Sequence, residues 1–300
     1  MFLSDSYQLL DFGGGRKLER FGGILTDRPS PPASGTVPHV PHRWGEADLY
    51  FRTESKGKAH ASLGIRGNWL PRTPQGTAFL ESGGTVSHSE PDFTLELKGS
   101  PFGHLGIFPE QSLNWDRLYR LCQHAQQLLS RPIRVLNLFA YTGGSTLACA
   151  AAGAEVTHVD AARNIVAQGR RNAELSGLQD VPIHWIADDA VKYVKREEKR
   201  KKEYEGIILD PPTYGHGARG EVWRLARDLP RLLSTLSTIL SPEYHFILLT
   251  CHSPGFDAPR LKTLLSGELS GKIESGAMSI TAATGVKLPA GHFALLTSER

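Results

Sequence analysis

The chain has 300 residues, 40% of them hydrophobic and 22% charged, with 31 glycines; this fits one domain of catalytic size plus a smaller companion and excludes disordered, collagenous and disulfide-stapled classes. Its 34 Lys and Arg against 31 Asp and Glu give a formal charge of +3, too near balance to demand a polyanionic partner by itself. Cys122, Cys149 and Cys251 are too widely spaced for a zinc site or a secreted scaffold, the N-terminus MFLSDSYQLLDF lacks a secretory pattern, and no apolar run is long enough to span a bilayer, so reduced thiols and a cytoplasmic location are expected.

In chain order, residues 1–110 are expected to form an extended arm and a small β-rich domain, and residues 111–300 a larger second domain. The Pro/Ser-rich run DRPSPPASGTVPHVPH reads as extended chain, and Gly13 to Gly15 as a turn that follows no clear strand. DLYFR, HASLGI, TAFLE and FTLEL read as short strands by their alternating apolar residues. LNWDRLYRLCQHAQQLLS places Trp115, Leu118, Cys122, Ala125 and Leu129 at helical spacing, with Asn114 as cap. Beyond it the apolar runs IRVLNLF, EVTHVD, IHWIAD, GIILD and HFILLT each precede a helical pattern, and HFALLTS lies near the end. That alternation predicts an α/β fold, a doubly wound and mostly parallel sheet covered on both faces. The run KREEKRKKEYE mixes signs and reads as the solvated end of a helix. Cys122 and Cys149 fall on apolar helical faces and read as core.

In such a sheet, ligands bind outside the carboxyl ends of the strands. AYTGGST follows IRVLNLF and leads into an Ala-rich helix. Gly143 and Gly144 permit a tight turn and close approach of a ligand, and the helix start offers free N–H groups to a carboxylate or phosphate. Asp160 ends the next strand, at the spacing where nucleotide-binding folds place a carboxylate on a ribose hydroxyl pair. Asp188 and Asp189 follow the third strand, either of them also able to cap the next helix, and Asp210 ends the fourth. Three carboxylates at one edge fit a ribose, the exocyclic amine of an adenine and a reacting centre. The most specific signal is DPPTY, formed by Asp210, Pro211, Pro212, Thr213 and Tyr214. Two prolines fix φ and remove donors, so this should be a rigid turn whose carbonyls find no neighbouring N–H. With the aromatic ring, such acceptors suit a planar base or amide.

The ordered set NLFAYTGGST, HVDAA, ADDAVKYV, ILDPPTYGHG and LLTCHS, preceded by PFGHLGIFPEQSLNWDRL, resembles class I methyltransferases related to the bacterial 23S rRNA large-subunit methyltransferases. The resemblance runs from near residue 100 to the end of the chain. It implies a Rossmann-like domain, S-adenosyl-L-methionine as cofactor, and RNA, of the ribosome, as partner. By resemblance Phe108 and Gln111 join the cofactor pocket. Phe139, Tyr141, Thr142 and Gly143 lie at the methionine end of an edge that also contains Ala140, Gly144 and Ser145. Asp160 and Ala161 lie at the ribose, and Asp188 and Asp189 toward the adenine. AYTGGS departs from the G-x-G-x-G of most class I enzymes and suits the rRNA-modifying branch. YQLLDFGGGRKLERFG resembles the start of a separate subgroup rather than the RNA-binding module of the best-known members.

Asp210, Pro211, Pro212 and Tyr214 are the candidates for holding the methyl acceptor. For the nucleophile two registers compete. T-C-x-S in LLTCHSPGF resembles the loop in which RNA cytosine-C5 methyltransferases carry their catalytic cysteine, which would be Cys251. Aligning Gly255 with the glycine after the S-C-S-G loop puts Ser253 there instead, and points to transfer onto a nitrogen, with Tyr214 stacking on the base. A nicotinamide-dependent oxidoreductase is disfavoured because no G-x-G-x-x-G follows the first strand. A non-catalytic RNA-binding relic of a methyltransferase is the third reading. The N-terminal domain is expected to help hold RNA, with Arg66 and Arg72 as candidate phosphate contacts. The twelve histidines include no H-E-x-x-H pair, so no metal site is expected.

Overall fold

The computed structural model describes residues 2, 5–54, 66–216 and 222–298. The chain divides into two compact units. The first comprises Met1–Ser89, Thr94–Ser112 and Ser279–Ala290, and the second Glu90–Phe93, Leu113–Met278 and Gly291–Arg300. The chain therefore re-enters its first unit near the C-terminus.

The first unit is built on a five-stranded sheet in chain order: β1 (Tyr7–Gly13), β2 (Arg16–Phe21), β3 (Ile24–Pro29), β4 (Leu49–Thr53) and β5 (Gly67–Pro71). The segment read as an arm is thus a hairpin, and the triple glycine is the turn joining its two strands. The strand pattern is hidden because β1 is buried almost throughout and β2 turns Lys17 and Glu19 inward. Those charges are tolerated because Glu19 accepts from Tyr7 Oη at 2.9 Å, and Arg28 Nε and Lys17 Nζ lie 2.6 and 3.0 Å from its carboxylate. The Pro/Ser-rich run is fastened to β1 by the buried Asp11 carboxylate, which accepts from the N–H groups of His39 and Val40 and from Trp44 Nε1. TAFLE, expected as a strand, lies in α1 (Pro74–Ser82), followed by the β6 (Gly84–Ser89) and β7 (Asp92–Leu97) pair. The helix wins because Thr73 caps it, accepting from Gly76 N at 3.1 Å, with Pro74 in the first turn. HASLGI lies outside the described residues.

The second unit opens with α2 (Ser112–Leu129), which starts two residues before the expected cap. Asn114 lies inside its first turn, and its Nδ2 donates to Met278 Sδ. Then follow β8 (Arg134–Leu138), α3 (Gly144–Ala151), β9 (Glu155–Asp160), α4 (Arg163–Leu175), β10 (Ile183–Ala187), α5 (Ala190–Lys199) and β11 (Gly206–Leu209). A short hairpin of β12 (Tyr214–His216) and β13 (Val222–Arg224) precedes α6 (Leu225–Ser237), where a continuous helical stretch was expected. β14 (Phe246–Cys251), α7 (Ala258–Glu268), β15 (Lys272–Thr281) and β16 (Lys287–Thr297) complete the chain. The seven-stranded sheet runs β10-β9-β8-β11-β14-β16-β15. The first five strands are parallel and β16 is antiparallel to β14.

The fold is the doubly wound α/β class expected from the alternation of strands and helices. One face packs Tyr193, Val194, Leu229, Leu233, Leu261 and Leu265 from α5, α6 and α7. The other packs Leu118, Cys122, Ala125, Cys149 and Ala150 from α2 and α3. Both helix-borne cysteines are fully buried. Each leucine or valine among them is worth roughly 1.5–3 kcal/mol when moved from water into such a core, and with helices on both faces the central strands β11 and β14 are apolar on both sides.

Candidate active site

Strand register sets the candidate residues in a row. Ala187 pairs with Asp160, and Leu138 stands beside both Val159 and Leu209, which in turn stands beside Leu249. One residue further, Asp160, Phe139, Asp210 and Thr250 occupy neighbouring positions at the carboxyl edge. At ~4.8 Å between strands, Asp160 and Asp210 are about 10 Å apart along that edge.

The loop after β8 carries backbone strain. Phe139 and Tyr141 adopt φ of 56° and 48°, a left-handed conformation uncommon outside glycine, and Gly143 has φ of 93°. Hydrogen bonds hold it there. Tyr141 N donates to Asp160 Oδ2 at 2.9 Å, Gly143 N to Ala140 O at 3.0 Å, and Asn172 Nδ2 to Thr142 O at 2.8 Å. Gly143 and Gly144 are needed for different reasons: the first for its φ, the second because a Cβ would sit 2.6 Å from the Trp115 ring. The loop delivers Ser145 and the first-turn N–H groups of α3 to the edge.

Beneath the loop runs a buried polar chain. Asn137 Nδ2 donates to Thr146 Oγ1 at 2.9 Å, and the threonine hydroxyl shares a hydrogen bond with His158 Nδ1, also 2.9 Å away. Burial holds His158 down to about 3, so the ring is neutral.

Asp160 accepts one bond on each oxygen, from Tyr141 N and from Ala162 N at 3.0 Å. Burial raises its carboxyl above the usual range, and the backbone donors oppose that shift. A carboxylate has about four acceptor positions, so these backbone donors do not exhaust the Asp160 oxygens. Ala161 beside it is exposed. Asp188 and Asp189 do different work. Asp188 pairs with Arg196, which holds its carboxyl below the usual range against the effect of burial, while Asp189 caps α5 by accepting from Lys192 N at 2.9 Å. Phe108 and Gln111 belong to the first unit and flank a single helical turn, in which Gln111 N donates to Phe108 O at 3.0 Å.

DPPTY forms the rigid turn its prolines require, with one correction. The Pro212 carbonyl accepts from Trp223 Nε1 at 2.7 Å and the Thr213 carbonyl from Leu225 N at 3.1 Å, because β13 and the start of α6 fold back over the turn. Among the described residues the Pro211 carbonyl takes no protein donor. The Trp223 ring lies 5.0 Å from that of Phe139, tying the turn to the loop after β8. Thr213 Oγ1 shares a hydrogen bond with Ser253 Oγ, and Tyr214 stands exposed.

Cys251 does not reach this surface. Its side chain is 0% exposed, inside the core packed by α6 and α7, and burial pushes its thiol up, with Ser253 partly opposing the shift. The next residue, His252, escaped sequence reasoning because its neighbours competed for the nucleophile's place. Its Nε2 lies 3.5 Å from Asp210 Oδ1. Among the described residues no group of three His, Cys, Asp or Glu side chains could hold a metal ion, and no helix is long and apolar enough to cross a membrane.

This geometry finds its counterpart in known proteins. The family model described as S-adenosylmethionine-dependent methyltransferase matches residues 106–261. A crystal structure of the SAM-dependent methyltransferase from Agrobacterium tumefaciens is 34% identical, covers 98% of this chain and 91% of that one, and superposes with a TM-score of 0.85. SMU.776 complexed with SAH shares the fold at 16% identity and a TM-score of 0.70, covering 98% of this chain and 75% of that one. The ribosomal RNA large subunit methyltransferase K/L of Shewanella baltica is 34% identical over 126 residues, 41% of this chain but 17% of that protein, so the match spans about a sixth of this relative's length. With the family model matching residues 106–261, more than half of the chain, and a 34%-identical methyltransferase superposing over 98% of it, the chain belongs to the S-adenosylmethionine-dependent methyltransferases.

Proposed function

We propose that this methyltransferase acts in the cytoplasm on a nucleobase nitrogen of RNA, with ribosomal RNA of the large subunit as its substrate. The substrate class is supported by the curated relatives, which carry the name ribosomal RNA large subunit methyltransferase K/L. Nitrogen as acceptor rests on one observation: the edge offers two adjacent acceptors, the Asp210 carboxylate and the Pro211 carbonyl, while its cysteine is buried. A carbon acceptor such as cytosine C5 needs prior attack by a thiolate, and a fully buried thiol with a raised pKa does not supply one.

S-adenosylmethionine supplies an activated methyl on a sulfonium, so the protein's part is alignment. Asp160 holds the ribose, and the 139–145 loop and the start of α3 hold the methionine end. Asp189 lies toward the adenine through the carboxylate oxygen not engaged in capping α5. Asp210 and Pro211 take the two N–H bonds of an amine and turn its lone pair toward the methyl group, and Tyr214 stacks on the base. Holding the partners in line is worth several kcal/mol of barrier.

The test is the chemical identity of the product. Large-subunit RNA from cells lacking this protein should gain a methyl group on a base nitrogen when incubated with the chain and S-adenosylmethionine. Recovery of 5-methylcytidine would contradict the nitrogen reading.

A further inference from the structure

We propose that His252 is the base that takes the proton released by the acceptor nitrogen, with Asp210 as its partner. This rests on the nitrogen-transfer reading of the same site. When an amine is methylated, the new N–C bond forms as the S–C bond breaks and the cofactor leaves as a neutral thioether. The nitrogen then carries a positive charge until it loses a proton. Something at the edge must receive that proton, and imidazole is the side chain whose ordinary range lets it take and return one near neutral pH.

The geometry singles out His252. Its Nε2 lies 3.5 Å from Asp210 Oδ1, the carboxylate that would hold the amine, so the proton has a short path from nitrogen to ring. The imidazolium formed would face that carboxylate. The two side chains are 36% and 34% exposed, open to a substrate. A pair so exposed contributes only ~0–1 kcal/mol to stability, so the fold gains little from it as a strut.

The other side of the ring is also fixed. Gly291, at φ 100° on β16, passes so close that a Cβ there would lie 2.6 Å from the Cys251 carbonyl and 2.9 Å from His252 Nδ1. Any side chain at 291 would push the ring off Asp210. The neighbouring hydroxyls are placed by other bonds: Thr213 and Ser253 bond each other, and Thr250 Oγ1 donates to the Leu209 carbonyl at 3.4 Å.

Three measurements on the full chain decide the matter, with large-subunit RNA from cells lacking the protein as substrate. His252→Ala should lower kcat on the order of 100-fold while KM for S-adenosylmethionine and for RNA stays within about threefold. Added imidazole should restore part of the lost rate through the space the side chain leaves. Gly291→Ala should reproduce part of the kcat loss with cofactor binding intact. A kcat for His252→Ala within about threefold of the unaltered chain, or a loss that resides in KM and ignores imidazole, overturns the assignment. The nitrogen reading fails separately, in the product of the unaltered chain. A methyl on a ring nitrogen that carries no hydrogen leaves no proton to remove and overturns the assignment too, as does absence of transfer to that RNA.

Discussion

At the scale of single residues, Asp160 is proposed to bind the cofactor, whereas Cys251 packs the core. On the proposed ribose role, the Asp160→Ala chain loses an acceptor for the cofactor hydroxyls together with the anchor of Tyr141 N. Charged hydrogen bonds of this kind are worth ~1.5–3 kcal/mol, so calorimetry should record S-adenosylmethionine binding weaker by about 10- to 150-fold. Asp160→Asn, which keeps one acceptor, should fall between. Equal affinity for all three chains would move the pocket elsewhere. Cys251→Ala should retain its methyl-transfer rate and lose stability only, by ~1–2 kcal/mol for a small buried side chain, and RNA containing 5-fluorocytosine should form no covalent complex with the unaltered chain. A trapped complex that disappears in Cys251→Ser would restore the cysteine mechanism. The place of Asp160 at the end of β9 was legible from its spacing after the glycine loop. The burial of Cys251 was not, because T-C-x-S fits two registers and only the pairing of Cys251 with His292 in the β14–β16 ladder fixes which side chains reach the surface.

Among the elements, the buried charges of β2 make the sharpest pH prediction. Burial alone would raise the Glu19 carboxyl, but the charges of Arg28 and Lys17 outweigh it and bring it to about 2, from 4.5. A folded value below the unfolded one stabilises the fold above the unfolded value, and the contribution disappears as pH falls from about 4.5 toward 2. At pH 7 it amounts to about 3 kcal/mol. Glu19→Gln should therefore unfold at lower denaturant than the unaltered chain at pH 7, and the gap should close near pH 2; a gap independent of pH would refute the ion-pair account. The same charges explain why these strands were hard to read. Alternation announces a strand only when polar residues face water, and Lys17, Glu19 and Asp11 all face inward. The parallel strands β8, β9, β10, β11 and β14 were legible as apolar runs with turn signals at each end, whereas β15, KIESGAMSIT, has too few apolar residues to stand out.

Considering the whole molecule, the first unit offers cations for a polyanion. Arg66 lies over the Phe102 ring at 5.4 Å, and Arg16 and Arg72 both lie over the Tyr50 ring, at 4.4 and 4.7 Å. Arg66 and Arg72 are exposed. If they meet phosphates, the Arg66→Gln, Arg72→Gln double substitution should weaken RNA binding and reduce the slope of log affinity against log salt by about 1–2. An unchanged slope would show that these arginines meet no phosphate. Point substitutions suit this question because residues Ser279–Ala290 also belong to the first unit, and a truncation near residue 100 would remove their surroundings. Composition did not foretell the unit's interleaving, since contacts between chain ends leave no local pattern. The most direct test of methyl transfer to RNA maps methylated nucleotides in ribosomal RNA from cells with and without this protein. Loss of one base methylation from the large-subunit RNA, restored by the unaltered chain but not by Asp210→Ala, is the predicted result. An identical methylation map in both cells would contradict the account.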